Sequence, residues 1–224
     1  MRFSIHKEGI PFIALFAGVN LLAFLMTPLL GVLLLPVTIW CIAFFRDPDR
    51  QTPQERGLIV SPADGKLLPI VEAPPPPELG LGDTPRIRLS IFMNVFNVHV
   101  NRNPVSGRVM AVAYRPGKFF NASFDKASIH NERMAIRVRP EGATGSDQDL
   151  VVVQIAGLVA RRIVCDLGQG QEVQRGARFG MIRFGSRLDV YLPPGAAVKI
   201  APGSITVAGE TVLAEMAPES AAMA

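Results

Sequence analysis

From Ile10 to Phe45 the chain carries no charged side chain, and its clearly polar groups there are only Asn20, Thr27 and Thr38. The run is 36 residues long, whereas one helical span of a bilayer needs roughly 20. Thr27-Pro28 and Gly31 fall near its middle. Two arrangements are open: one long tilted span, or two short helices folded into a hairpin that dips into the bilayer. At a rise of ~1.5 Å per residue each half of a hairpin reaches only about 25 Å, which favours a shallow or re-entrant hairpin over two clean spans. The bland alternative is a buried helix pair in a soluble protein. Arg2 and Lys7 precede the run and Arg46 and Arg50 follow it. Basic flanks favour the cytoplasmic side, so the expectation is a cell-membrane protein with the rest of the chain on the cytoplasmic face. The run is too long for a cleavable signal peptide, and no small-residue cleavage pattern follows it.

The remaining composition is consistent with that setting. A net charge of +4 suits a surface of anionic lipid headgroups, and no basic run or nucleic-acid module argues for nucleic acid as the partner. Cys41 lies in the apolar run and Cys165 far from it, so no disulfide framework is implied.

Past Phe45 helical periodicity nearly disappears. Short β-branched or alternating runs recur between Gly, Pro and Asp: "GLIV", "RIRLSIFMNVFNVHV", "GRVMAVAYR", "MAIRVR", "LVVVQIAG", "RIVCDL", "RFGMIRF" and "RLDVYL". Strands of this length and spacing imply a mainly β fold, a sandwich or hybrid-barrel-like domain behind an N-terminal apolar helical membrane segment. The division expected is a membrane-associated segment over 1–45 and a β-rich domain over 46–224. "APPPP" at 73–77 reads as a stiff polyproline loop, "EGATGSDQD" at 141–149 as an exposed hairpin connection, and "FNASFDKAS" at 120–128 as the place for a helical turn.

Candidate chemistry is sparse. In "VFNVHVN" alternation sends Phe96, Val98 and Val100 one way and Asn97, His99 and Asn101 the other, placing His99 on a polar face opposite a buried stripe. Asp64, in "SPADGK", has turn surroundings. His130, in "SIHNER", is a polar loop histidine able to line a pocket, and His6 precedes the apolar run. Three histidines without paired spacing and no Cys cluster argue against a metal site. Gly-rich phosphate loops and the Gly-x-Ser-x-Gly elbow are missing, and none of the five lysines has a setting that suggests pyridoxal phosphate. Two Gly-Ser pairs, Gly185-Ser186 and Gly203-Ser204, lie between strand-like segments. The first has a strand on either side to anchor a strained bond, whereas Pro202 marks the second as an ordinary turn.

Read together and in order, "FFRDPDR" (44–50), "SPADGK" (61–66), "NVHVNRNPVSGRV" (97–109), "HNER" (130–133) and "GMIRFGSRLDVYLP" (180–193) resemble the phosphatidylserine decarboxylase proenzyme family, in its short bacterial form. The resemblance covers roughly residues 44–195. It implies a precursor that cuts itself at Gly185-Ser186 and converts Ser186 to a covalent pyruvoyl group, with no metal and no pyridoxal phosphate. His99 is implied as the base and Asp64 as the group that orients its ring and stabilises the imidazolium. The products would be chains 1–185 and 186–224, held together as a heterodimer and able to pair again as a homodimer. The pyruvoyl group would form the Schiff base with phosphatidylserine and yield phosphatidylethanolamine at the membrane surface. Arg46 and Arg102 are candidate partners for the phosphate, and His99, His130 or water for protonating the product, because Phe96 stands where longer members carry a second histidine. A competing reading rests on the Gly-punctuated tail, "GQEVQRGARFGMIRF" through "PGSITVAGETVLAEM". It resembles lipoyl-like hybrid barrels and would make the protein a non-enzymatic membrane-anchored adaptor module.

Overall fold

The computed structural model describes residues 4–122, 127–158, 162–183 and 185–217; Arg2 and part of the 120–128 segment lie outside them. The apolar run forms two helices, α1 (Ile10–Met26) and α2 (Pro28–Phe44). Thr27 separates them: its backbone is extended and its Oγ1 accepts the amide of Leu30 at 3.4 Å, with Pro28 in the first helical position. That is the N-cap chemistry that starts a new helix. The two pack as a hairpin, close enough that a β-carbon at Gly31 would stand 2.2 Å from the Phe24 ring, and Asn20 Nδ2 donates to the Gly31 carbonyl at 3.1 Å. Leu21, Leu22, Leu25, Met26, Leu29 and Leu33 all face outward. Lys7–Met26 is long and apolar enough to cross a membrane.

The remaining described elements are strands, one further short α-helix, α3 (Ala127–His130), and three single-turn 3-10 helices at Lys7–Gly9, Pro77–Leu79 and Ser146–Gln148. In chain order the strands are β1 (Leu58–Val60), β2 (Gly65–Leu67), β3 (Val71–Ala73), β4 (Arg86–Met93), β5 (Val100–Arg102), β6 (Gly107–Arg115), β7 (Arg133–Pro140), β8 (Leu150–Ala156), β9 (Ile163–Cys165), β10 (Glu172–Val173), β11 (Arg178–Ile182), β12 (Ser186–Tyr191), β13 (Ala197–Val198), β14 (Ile205–Thr206) and β15 (Val212–Glu215). Nine of them form a sheet in the order β10-β6-β7-β8-β12-β4-β2-β14, with β3 also on β4. The sheet curls into half a barrel. Smaller sheets, β1-β15-β13 and β5-β11-β9, complete the domain. The fold is mainly β, as the run pattern predicts. "EGATGSDQD" is indeed the connection between antiparallel β7 and β8.

β8 and β12 lie at the centre of the large sheet and are buried along their whole length. One face packs Leu89, Ile91, Leu150, Val152, Leu188 and Val190 into the main core. The other packs Val151, Val153, Ile155 and Tyr191. A strand covered on both faces reads as a continuous apolar run, which explains "LVVV" in β8. β12 is less apolar, because Arg187 and Asp189, both buried, point to the second face and pair with each other at 2.8 Å.

A third cluster joins the helices to the domain. Cys41, Phe44 and Phe45 from the end of α2 pack on Val98, Val100 and Met181. Lys7 meets Asp166 at 3.3 Å, Glu8 pairs with Arg183, and the Arg183 guanidinium lies 5.0 Å from the Phe12 ring centroid. The base of the hairpin is therefore seated against β5 and β11.

Candidate active site

Ser186 opens β12, paired on one side with Met93 of β4 and on the other with Ala156 of β8. Gly185 before it has φ +66°, a left-handed conformation that glycine adopts at no steric cost. The strand pair flanking the bond is as the sequence predicts, β11 before and β12 after. Gly203-Ser204 sits instead in a tight turn, with Gly203 N bonded to the Leu67 carbonyl and Leu67 N to the Ser204 carbonyl. The Ser186 Oγ is fully buried and has no hydrogen-bond partner among the described residues.

His99 departs from its expected setting. The alternation in "VFNVHVN" predicts a strand with Phe96 inside and His99 on a polar face. The structure has a turn over 94–97, Phe96 is 70% exposed, and His99 is wholly buried. The asparagines cause the reversal. Asn94 Oδ1 accepts the amide of Phe96 and Asn97 Oδ1 that of Asn94, both at 2.8 Å. These side-chain bonds offer the backbone a turn in place of a ladder.

Burial sets the chemistry of His99. Its ring lies 4.2 Å from that of Phe44, centroid to centroid. Its Nδ1 is 2.9 Å from the Asn97 carbonyl. A carbonyl only accepts, so Nδ1 carries the proton and Nε2 presents a lone pair. Nε2 is buried with no hydrogen-bond partner among the described residues. Desolvation lowers the pKa of His99 to about 4, opposed by the Asn97 bond and reinforced by the charge of Arg46. At neutral pH the ring is an uncharged base with a free nitrogen. Beside it, Asn101 Nδ2 donates to the His99 carbonyl at 3.3 Å, and Gln154 Nε2 donates to Asn101 Oδ1 at 2.8 Å. Sequence reasoning missed this amide pair; the polar interruption of "LVVVQIAG" by Gln154 is the signal that marks it.

Asp64 has other partners. Arg50 Nη2 donates to both carboxylate oxygens, at 3.0 and 2.8 Å, and the amide of Ala208 donates at 2.8 Å. Asp64 and His99 are not hydrogen-bonded to each other, and the ring is oriented by the Asn97 carbonyl in the place expected for Asp64. The turn that holds Asp64 meets β5 through the Pro62 carbonyl, which accepts the amide of Arg102 at 2.9 Å.

The basic candidates also find protein partners. Arg46 donates to the carbonyls of Ala43 at 2.7 Å and Phe96 at 2.8 Å, closing the end of α2. Arg102 is 5% exposed and bonded to Gly176, Asp47 and Pro48. His130 is exposed at the end of α3, edge-on to Phe120. A cavity of about 1020 Å³ is lined by residues including Arg56, Ser106, Glu141, Arg175, Pro194 and Met216; Ser186, His99 and Asp64 do not border it. Among the described residues Ser186 Oγ and His99 Nε2 are both buried side-chain atoms without a hydrogen-bond partner, as are Ser90 Oγ and Gln154 Oε1. Among the described residues no group of three or more His, Cys, Asp or Glu side chains is placed to hold a metal ion.

The phosphatidylserine decarboxylase family model matches residues 37–214. This chain belongs to the phosphatidylserine decarboxylase family. It is 56% identical over 211 residues to the phosphatidylserine decarboxylase proenzyme of Cereibacter sphaeroides, covering 94% of this chain and 89% of the relative. The corresponding proenzymes of Rickettsia africae and Rickettsia prowazekii are 54% identical over the same length, 94% of this chain and 90% of theirs. The match spans the hairpin's end, the turn of Asp64, His99 and the whole of β12. Family membership displaces the adaptor reading, and the hybrid-barrel look of the tail is fold information alone.

Proposed function

We propose that this chain is a self-cleaving precursor that decarboxylates phosphatidylserine to phosphatidylethanolamine at a membrane surface, with Ser186 as the source of its pyruvoyl group. The observation that carries the reading is that Ser186 Oγ and His99 Nε2 are both buried without a hydrogen-bond partner among the described residues. Buried polar atoms without partners are costly, and here one is a nucleophile and the other a neutral base.

In self-cleavage His99 Nε2 takes the hydroxyl proton of Ser186 while Oγ attacks the Gly185 carbonyl carbon. The Gly185–Ser186 peptide bond breaks as an ester forms on Oγ, and the proton passes to the departing nitrogen. Loss of the Ser186 α-proton then expels the Gly185 carboxylate. Water replaces the nitrogen as ammonia, leaving the pyruvoyl group on residue 186. Asp64 contributes by holding the 61–65 turn against β5. An imidazolium that burial disfavours gives up its proton readily, which suits His99 to return one to the product as well.

The pyruvoyl carbonyl supplies the electron sink that unmodified side chains lack. Around it the chain's residues exclude water and hold the geometry: Phe44 covers His99, and Asn101 and Gln154 brace the strand beside it. Arg46 and His130 are the proposed contacts for the lipid phosphate; Arg102 is committed to Asp47 and two carbonyls. Lys7, Arg46 and Arg50 at the hairpin's base support a cytoplasmic orientation.

Intact-mass measurement of the purified protein tests the proposal. A 1–185 chain and a pyruvoyl-blocked 186–224 chain are expected, with carbon dioxide released from phosphatidylserine vesicles. A fragment beginning at Ser204, or an active uncut chain, overturns it. Ser186→Ala is expected to remain uncut and inactive, and Ser204→Ala to be processed normally.

A further inference from the structure

Three loops converge on the Ser186 end of the large sheet, and each presents a large apolar side chain to solvent. β4 ends at Met93, opposite Ser186, and three residues on comes Phe96, 70% exposed. β8 ends at Ala156, on the other side of Ser186, and two residues on comes Leu158, also 70% exposed. The third loop, 117–122, is stapled over the same edge. Buried Asn131 donates to the Phe120 and Ala156 carbonyls, each at 2.8 Å, and Arg187 donates to the Ala122 carbonyl at 3.1 Å. It carries Phe119, 38% exposed. Since β4 and β8 flank one strand, Phe96 and Leu158 spring from points only about 10 Å apart.

The opposite end of the same strands is different. The connections 141–149 and 193–195 expose no large apolar side chain. Cations border the apolar end: Lys118 lies 5.8 Å from the Phe120 ring centroid, and Arg46 ties the Phe96 carbonyl to the end of α2. The rim is thus continuous with the place where the outward-facing apolar hairpin leaves the domain. Apolar side chains clustered beside cations are the chemistry of an interfacial lipid contact.

We propose that Phe96, Phe119 and Leu158 form a rim that inserts into an anionic lipid interface, so that the approach to Ser186 opens within the headgroup layer. The occupant is the bilayer itself. The inference rests on the proposed function for its substrate, but the insertion is tested apart from it.

Trp40 is the single tryptophan, so Trp40→Phe provides a silent background for Phe96→Trp, Phe119→Trp and Leu158→Trp, with Thr144→Trp as the control at the far end. Each is mixed with phosphatidylethanolamine–phosphatidylglycerol vesicles whose acyl chains are brominated close to the headgroup. The three rim tryptophans are expected to shift to the blue and be quenched several-fold more than the control. Quenching no greater than that of Thr144→Trp overturns the rim, as does a blue shift that grows with protein concentration before lipid is added, which would assign the face to a second copy. Phe96→Ser/Leu158→Ser is expected to lose several-fold more turnover on bilayer phosphatidylserine than on a dispersed short-chain analogue; an equal loss overturns the proposal. Quenching of the rim in a protein that decarboxylates neither lipid would overturn the proposed function and leave the rim standing.

Discussion

The carbonyl oxygen of Gly185 lies against the α-carbon of Gly157, so close that a β-carbon built on Gly157 would stand 2.1 Å from it. This is the carbonyl that Ser186 must attack in the proposed cleavage. Gly157 is not among the glycines with positive φ, so alanine is compatible with its backbone and only the contact forbids it. Gly157→Ala is expected to cost about 1–3 kcal/mol and to leave most of the protein uncut. Denaturing gels of the folded, soluble fraction check it; normal processing would show that the carbonyl's position is not critical.

His99 makes the chain's acid sensitivity specific. Its pKa falls from 6.5 to about 4 on folding, so between those values the unfolded state binds the extra proton and the folded state does not. Stability is therefore lost as pH falls from about 6.5 to about 4, by roughly 3 kcal/mol if His99 acts alone. His99→Gln is expected to flatten this part of the pH–stability curve in urea melts. Processing is expected to hold its rate down to about pH 5 and then fall with a midpoint near 4, not near 6.5.

Phe44 covers the His99 ring and belongs to the hairpin, not to the β domain. Phe44→Ala would open a cavity costing about 3–5 kcal/mol and admit water to the imidazole. The His99 pKa is then expected to rise toward its ordinary value, and the pH midpoint of processing with it. NMR titration of the histidines checks the first shift and a timed processing assay the second.

Arg187 and Asp189 are buried on the face of β12 opposite Leu188, and Ser128 of α3 donates to Asp189 at 2.7 Å. Asp189→Ala would leave buried arginine charge uncompensated, at a cost of about 3–5 kcal/mol. Urea unfolding in the uncut Ser186→Ala background measures this without interference from cleavage. The double change Arg187→Met/Asp189→Leu is expected to recover much of the loss.

Much of the architecture was legible in the sequence because it follows from local periodicity. Thr27-Pro28 divided the apolar run as capping chemistry requires, and β-branched runs such as "LVVV" became central strands. The site was legible only in part. Ser186 stands at a strand start as "GMIRF" and "RLDVYL" suggested. The surroundings of His99 were inverted, since alternation cannot register two asparagine side chains turning the backbone. The partners of Asp64 were hidden for a different reason: Arg50 and Ala208 are 14 and 144 residues away from it. Likewise an arginine in a strand reads as solvent-facing, and only the second core shows where Arg187 goes.

β12 lies between β8 and β4, bonded along its length to both. Chain ends usually sit at the margins of a domain, but a cut at 185–186 would create one in the interior of a sheet. The new 186–224 chain could not diffuse away, for β12, β14 and β15 are each laced into strands of the longer partner. The freshly made end would keep the positional accuracy of a mid-sheet residue, and any slack released by the cut would fall to the Gly185 side. Separating the two chains would then amount to unfolding the protein, so the cut would be permanent in chemistry and nearly invisible in shape.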